Sequence, residues 1–361
     1  MKQKKKIKVG IIFGGKSAEH EISLRSAKNV IEALDKSKYE SALIGINKEG
    51  QWFLVDNKKF LSSQIFKFNK KIDKAVALVP QSNGRLIDLK TGRLVKVVDV
   101  VFPILHGPFG EDGTLQGLLK LANIPFVGAS VLGSAVGMDK DVMKRLLREA
   151  GLPIGKFLTI TENDIPTYEK VIKNLGQPFF IKPANMGSSV GVSKVKDKKD
   201  YQKAIQEAFN YDLKIILEEN IVGREIECAI LGNDDPRASI PGEVIPSHDF
   251  YSYEAKYLDK NGARLEIPAK LSGQLIKKVQ ALAIKTFQIL NCEGFGRVDS
   301  FLRENGDILV NEINTIPGFT SISMYPKLWE ASGISYPDLI DKLIQLAFER
   351  FEKEKKLKTT R

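Results

Sequence analysis

The sequence predicts an α/β protein of several domains that opens on a parallel sheet. Three observations carry this. Residues 7–13, IKVGIIF, are apolar and rich in β-branched side chains, and they run into Gly14-Gly15, the pattern of a buried strand closed by a tight turn. Ser17 to Leu34 then places Ile22, Ala27, Val30, Ile31 and Leu34 on one helical face, and Tyr39 to Ile46 reads as the next strand; strand, turn, helix and strand together make the opening unit of a parallel sheet. Finally, 361 residues of ordinary globular composition leave room for two or three cores.

The remaining elements follow in order. Arg85 to Val98 reads as a hairpin turning at Lys90 to Gly92. Asp99 to Leu105 is another buried strand, and it delivers the polar loop HGPFGEDG at its C-terminal end, the edge of a parallel sheet where ligands bind. A boundary is expected after Gly128. The helix from Asp139 to Ala150 stops at Gly151 and Pro153. Strands are expected at Phe157–Ile160, Phe179–Pro183, Val190–Val195 and Lys214–Glu219, with a helix at Lys199–Phe209 among them. Beyond Gly223, strands at Glu225–Leu231 and Arg264–Ile267 precede a long helix, Gly273–Leu290. Gly296–Arg303 and Asp307–Ile313 form a hairpin around Glu304-Asn305-Gly306, and a last helix spans Tyr336–Phe351.

Composition excludes several classes of function. The net charge is +11, but residues 1–8 carry five lysines, and residues 351–361 hold five basic against two acidic side chains. The folded body is therefore close to neutral for its size, and a nucleic-acid partner is not expected. No stretch approaches the ~20 apolar residues of a membrane span. The apolar part of the N-terminal segment is too short for a signal peptide and leads into the strand-glycine pattern, so the expected compartment is the cytoplasm. Cys228 and Cys292 belong to no CxxC pair, which fits a reducing compartment and points to no metal site.

Three segments carry chemistry. GGKSAEHE supplies no G-x-G-x-x-G, so a dinucleotide site is disfavoured; Glu19 and Ser23 stand at a helix start, where Ser17 capping competes with ligand binding as the explanation. In FFIKPANMGSSVGVSKV, Lys182 leaves the end of a strand beside Gly187, Ser188, Ser189 and Gly191. Glycines let backbone amides face phosphate oxygens, and the lysine and hydroxyls add donors. In GFGRVDSFLRENGDILVNEINTIPGFT, Arg297 and Asp299 share one face of a strand, and Glu312 and Asn314 share a face of its partner. Converging carboxylate and amide oxygens suit Mg²⁺, whereas a bridge of Arg297 to Glu312 is the plainer alternative.

These segments resemble those of D-alanine–D-alanine ligases of the ATP-grasp superfamily. GGKSAEHE, HGPFGEDGT, MDK at Met138–Lys140, IKPANMGSSVG, LEENIVGREIECAIL, YEAKY at Tyr253–Tyr257, GRVDSF and NEINTIPGFTSISMYP share their order and spacing. The resemblance implies a three-domain ATP-grasp fold, with an N-terminal substrate domain (1–128), a central ATP-grasp subdomain (129–218) and a C-terminal catalytic domain (219–361). It implies ATP as co-substrate, two Mg²⁺ or Mn²⁺ ions held by Asp299, Glu312 and Asn314, room for a monovalent cation, and a homodimer. Lys140 and Lys182 would neutralise the α- and β-phosphates, and Lys256 would reach the γ-phosphate. The adenine would lie against the linker from Glu218 through Glu219 to Ile221, with Glu225 on the ribose. Glu19 would pair with the ammonium of the first D-alanine, in a lid contact with Ser188 and Tyr257. Arg297 and the amide of Gly318 would stabilise an oxyanion, and Ser323 with the Met324 backbone would take the second carboxylate. For His106, a place behind the reacting carboxylate competes with capping of the helix expected at Glu111–Ala122. The segment 244–262 reads as a lid. A ligase joining D-alanine to D-lactate or D-serine is the nearest alternative, and Tyr257 argues against it.

Overall fold

In a computed structural model, the structure describes residues 5–69, 73–247 and 262–358. Three sheets organise them. The first begins with β1 (Ile7–Gly14), followed by α1 (His20–Ala33), β2 (Tyr39–Ile46), β3 (Trp52–Val55), α2 (Asn57–Ser62), β4 (Lys74–Leu78), β5 (Arg85–Asp88), β6 (Leu94–Val97) and β7 (Val100–Ile104). Its strand order is β6-β5-β4-β3-β2-β1-β7. Both neighbours of β1 run parallel to it, and the remaining pairs are antiparallel. The expected parallel sheet is thus extended on one side. The reason is length: β3 to β6 are short strands, and most of their connections are too short for the crossover that a parallel pair requires. The expected hairpin at 85–98 is β5–β6.

The helices α3 (Thr114–Leu121), α4 (Val131–Met138) and α5 (Lys140–Glu149) lead to the second sheet. It comprises β8 (Phe157–Thr161), β9 (Phe179–Pro183), β10 (Ser193–Val195) and β11 (Lys214–Glu219), with α6 (Tyr168–Leu175) and α7 (Lys198–Phe209) packed on it. The order is β10-β9-β11-β8, all antiparallel. β10 is shorter than the sequence suggested, because residues 190–192 belong to the glycine loop instead. Asp139 starts α5 as its cap, accepting from the amides of Asp141 and Val142 at 3.1 and 3.0 Å.

The third sheet holds β12 (Arg224–Gly232), β13 (Arg237–Ala238), β14 (Gly242–Pro246), β15 (Ala263–Glu266), β16 (Gly294–Leu302) and β17 (Ile308–Asn314). Its main order is β15-β14-β12-β16-β17, with β13 paired to β12. The long helix α8 (Gly273–Ile289) packs on one face. Two further helices, α9 (Met324–Ala331) and α10 (Tyr336–Glu354), pack between this sheet and the first. Phe102 of β7, Phe295 of β16, and Phe319 and Tyr325 near α9 meet at ring distances of 5.5–5.9 Å. A single apolar core therefore runs from the first sheet to the last helices, and it fixes the β1 and β7 loops against the face of β16 and β17.

Candidate active site

That arrangement encloses a cavity of about 920 Å³ lined by the β1–α1 and β7–α3 loops, the glycine loop after β9, the β11–β12 linker and the faces of β16 and β17. Its two ends differ in charge.

At the end against the first sheet, α1 begins at His20, later than the Ser17 that periodicity suggested. Ser17 Oγ accepts from the Glu19 amide at 3.1 Å, while Glu19 holds the N-cap position without capping through its side chain. The carboxylate instead receives the hydroxyl of Ser188 from the glycine loop. Close approach is required here, since a Cβ at Gly187 would stand 3.1 Å from Glu19 Oε2. Ser188 and Ser189 adopt φ of 51° and 60° to make the turn.

Behind Glu19 lie two buried titratable groups. His106 places Nδ1 3.0 Å from the Ile316 carbonyl and Nε2 3.5 Å from Ser26 Oγ. It does not cap α3, which starts at Thr114 behind Gly113. Burial pushes the His106 pKa down, against the attraction of Glu19, so the ring is neutral near pH 7. Glu111 accepts from the amides of Gly107 at 2.6 Å and Ile316 at 3.1 Å. Burial, with the charge of Glu19 in the same sense, raises its pKa to about 8 in spite of those bonds.

The opposite end gathers lysines against carboxylates. Lys140 starts α5, and its Nζ donates to the Met186 carbonyl at 2.7 Å and lies 3.5 Å from Glu312 Oε2. Lys182 pairs with one oxygen of Glu218, and Lys144 pairs with the other at 2.5 Å. Burial disfavours the charged form of all three. The two lysines nonetheless hold the Glu218 carboxyl down at about 2, and Glu218 with Glu312 keeps Lys182 raised. Lys144 goes the other way: burial lowers it, helped by the charge of Lys182 and opposed by Glu218. In the linker, Glu219 Oε1 accepts from the Lys156 amide at 2.8 Å, and Ile221 and Glu225 line the cavity wall.

Between the two ends lies the β16–β17 face. Register pairs Asp299 with Glu312 and Arg297 with Asn314. Arg297 forks onto Asp299 with two bonds of 2.7 Å and reaches Glu227 of β12 at 3.0 Å; these anions hold its pKa well above the ordinary value despite burial. Its charge is thus met within its own strand and by β12, not in the Glu312 bridge that the sequence left open. Asn314 Nδ2 donates to Asp299 Oδ2 at 2.9 Å. Two carboxylates and an amide on one face form a hard-oxygen donor set, and such a set fits a Mg²⁺-like ion that completes its shell from water and phosphate. Among the described residues no cluster of three or more His, Cys, Asp or Glu forms; the donor set here is two carboxylates and one amide. Gly318 and Ser323 face each other, since a Cβ on Gly318 would stand 2.8 Å from Ser323 Oγ. Ser323 Oγ also accepts from the Thr320 amide at 2.9 Å and precedes the first turn of α9.

The structure thus gathers Glu19, Lys140, Lys182, Ser188, Glu218, Glu219, Ile221, Glu225, Arg297, Asp299, Glu312, Asn314, Gly318 and Ser323 around one cavity. Of the segment 244–262 expected as a lid, residues 244–246 belong to β14 instead, and residues 248–261, with Lys256 and Tyr257, lie outside the described residues. Sequence reasoning missed Lys144 and Glu227, and it gave Glu111 no role. Only Glu227 had a local signal, since it alternates with Glu225 on one strand.

Comparison with known proteins agrees with this geometry. Family models described as D-ala D-ala ligase N-terminus and C-terminus match residues 8–129 and 146–345. The chain is 54% identical to the D-alanine–D-alanine ligase of Shouchella clausii over 98% of both proteins. It is 50% identical to D-alanine–D-alanine ligase A of Escherichia coli K12, over 98% of this chain and 99% of that one. The solved D-alanine-D-alanine ligase from Coxiella burnetii superposes with a TM-score of 0.88 at 40% identity, covering 98% of this chain and 97% of the other. The VanG D-Ala:D-Ser ligase from Enterococcus faecalis gives 0.85 at 39%, over 95% and 100%.

Proposed function

This chain belongs to the D-alanine–D-alanine ligase family, with its ATP-grasp fold, and from that premise we propose that its cavity joins two D-alanine molecules at the expense of ATP. The product is D-alanyl-D-alanine for peptidoglycan precursors. The observation that carries the reading is the contrast between the cavity's two ends, with Glu19 facing one and Lys140 and Lys182 lining the other.

The chemistry follows from what the side chains can do. A carboxylate is a poor electrophile, so the first D-alanine must be activated. Glu19 holds its ammonium, and a carboxylate oxygen attacks the γ-phosphorus of ATP, breaking the bond to ADP and leaving an acyl phosphate. Lys140 and Lys182 offset negative charge on the phosphates, with Lys256 at the γ-phosphate. Asp299, Glu312 and Asn314 would hold two Mg²⁺ or Mn²⁺ ions, which would neutralise charge on the transferring phosphoryl group. The neutral amine of the second D-alanine then attacks the acyl carbon. Arg297 and the Gly318 amide stabilise the tetrahedral oxyanion before phosphate leaves. Ser323 and the start of α9 take the second carboxylate. The 244–262 segment excludes water from the acyl phosphate.

The same reading includes the division 1–128, 129–218 and 219–361, a cytoplasmic homodimer, and a monovalent cation as a further ligand. Acceptor choice rests on Tyr257. Its relatives named for D-alanine ligation reach 50–54% identity, and the D-Ala:D-Ser relative 39%, which supports D-alanine over D-serine or D-lactate.

One assay tests the activity: phosphate release from ATP with D-alanine alone, then product analysis with D-lactate or D-serine added, from acid to neutral pH. Dipeptide should dominate throughout. Release without dipeptide, or mainly depsipeptide near neutral pH, overturns the assignment.

A further inference from the structure

Lys144 is a buried lysine for which the ligase reaction above has no use. It lies one turn past Lys140 on α5, its side chain is 2% exposed, and its Nζ rests 2.5 Å from Glu218 Oε1. On its other side is the ring of Phe157, 6.0 Å away at the centroid. The second oxygen of Glu218 is occupied by Lys182. Two cations thus share one carboxylate, which leaves Glu218 with a partner in excess, while Glu312 and Glu225 act on Lys182 from farther off.

The excess has a consequence for Lys182. A buried carboxylate keeps its charge only while a cation stays beside it. Were Lys182 the sole partner of Glu218, drawing it toward a phosphate would strand that carboxylate, and the loss would offset the new contact. With Lys144 in place, Glu218 retains a partner whether or not Lys182 leaves. We propose that Lys144 is a positioning residue that keeps Glu218 compensated and fixed, so that Lys182 can exchange Glu218 for a phosphate of the nucleotide. This rests on the reading that Lys182 meets phosphate. It adds that the lysine is released by a third charge that never touches ATP: Lys140, by contrast, is tied to Met186 and Glu312 and plays no part in the exchange.

A merely structural lysine would weaken folding, and it would do so regardless of the charge at 218. The exchange predicts a dependence on that charge, which a double-mutant cycle reads. ATP dissociation constants are measured by calorimetry for Lys144→Met in the wild-type and Glu218→Gln backgrounds, with melting temperatures alongside. In the wild-type background the loss should be about tenfold or more, because Glu218 then holds Lys182; in the Glu218→Gln background it should be under about threefold. Equal losses in both backgrounds overturn the proposal. Should Lys144→Met not fold alone, Glu218→Gln and the double variant still decide: they should bind ATP within about threefold of each other, and a gap of about tenfold overturns it. Lys182→Met separates the two layers of the argument. If that variant binds ATP as the wild type does, the phosphate reading of Lys182 fails. If it binds weakly while the cycle shows no coupling, only the role of Lys144 fails.

Discussion

The two ends of the cavity carry the same kinds of group in opposite proportion. Around Glu19 there are two carboxyl groups and a neutral imidazole, packed so that the proton stays on Glu111. Around Glu218 two ammonium groups share one carboxylate. Each imbalance would be costly in a sealed core. Under the proposed function an ammonium would complete the first end and a polyphosphate the second, so that charge would orient substrate and nucleotide across the β16–β17 face.

The largest effect should come from that middle face, where the two ends meet. Glu312 lies opposite Asp299 in register and 3.5 Å from Lys140. Glu312→Gln keeps the shape and removes the charge. Turnover should fall by about two to three orders of magnitude while the melting temperature holds, since a preorganised charge at the transferring group is lost. Near-normal turnover at saturating Mg²⁺ would place the ions elsewhere and leave the two ends without a shared centre.

A smaller effect tests the acidic end in the absence of ligand. The folded pKa of Glu111 is about 8, above the ordinary value of 4.5. A carboxyl shifted upward contributes stability that is fully present below the unfolded pKa and is lost as pH rises through the folded one. Wild-type stability should therefore decline as pH rises between about 4.5 and 8. Glu111→Gln keeps an acceptor oxygen for only one of the Gly107 and Ile316 amides, since each takes a different carboxyl oxygen, so it should lower stability at every pH but should remove that part of the decline. Parallel pH profiles for the two proteins would mean that Glu111 is already ionised and that the ends are less different than their geometry implies.

How far this contrast could be read from sequence depends on where each residue's partner lies. The hairpin at 85–98 and strands β9 and β11 were legible because period and turn residues are local. The β16–β17 face was legible for the same reason, as alternation puts Arg297 with Asp299 and Glu312 with Asn314. Lys144 was not. In KDVMKRLLRE a lysine reads as a solvated helix charge, and only the fold of β11 brings Glu218 over it. Glu111 was hidden likewise, its neighbours Ile316 and Glu19 being far away in sequence. Of the antiparallel extension, β3 and β4 escaped notice in part because they are four and five residues long. Local pattern fixes an element's type, while a buried charge is defined by a partner that periodicity does not see.

The smallest effect concerns the contact that ties the two ends together. Ser188 belongs to the phosphate-facing glycine loop, yet its hydroxyl donates to Glu19. Ser188→Ala keeps the positive φ of 51° no worse occupied than before, whereas glycine there would loosen the loop as well. Only the hydroxyl is lost, and with it the bond to Glu19, worth about 0.5–1.5 kcal/mol or about two- to tenfold in a binding constant. The KM for the first D-alanine should rise by that factor, because Glu19 loses a donor that aims it at the ammonium. The KM for ATP should move by less than about twofold, since Lys140 and Lys182 reach their partners without Ser188. Steady-state kinetics with each substrate varied in turn separates the two. If the ATP constant rises alone, the hydroxyl serves the phosphates, and the glycine loop belongs wholly to the lysine-lined end.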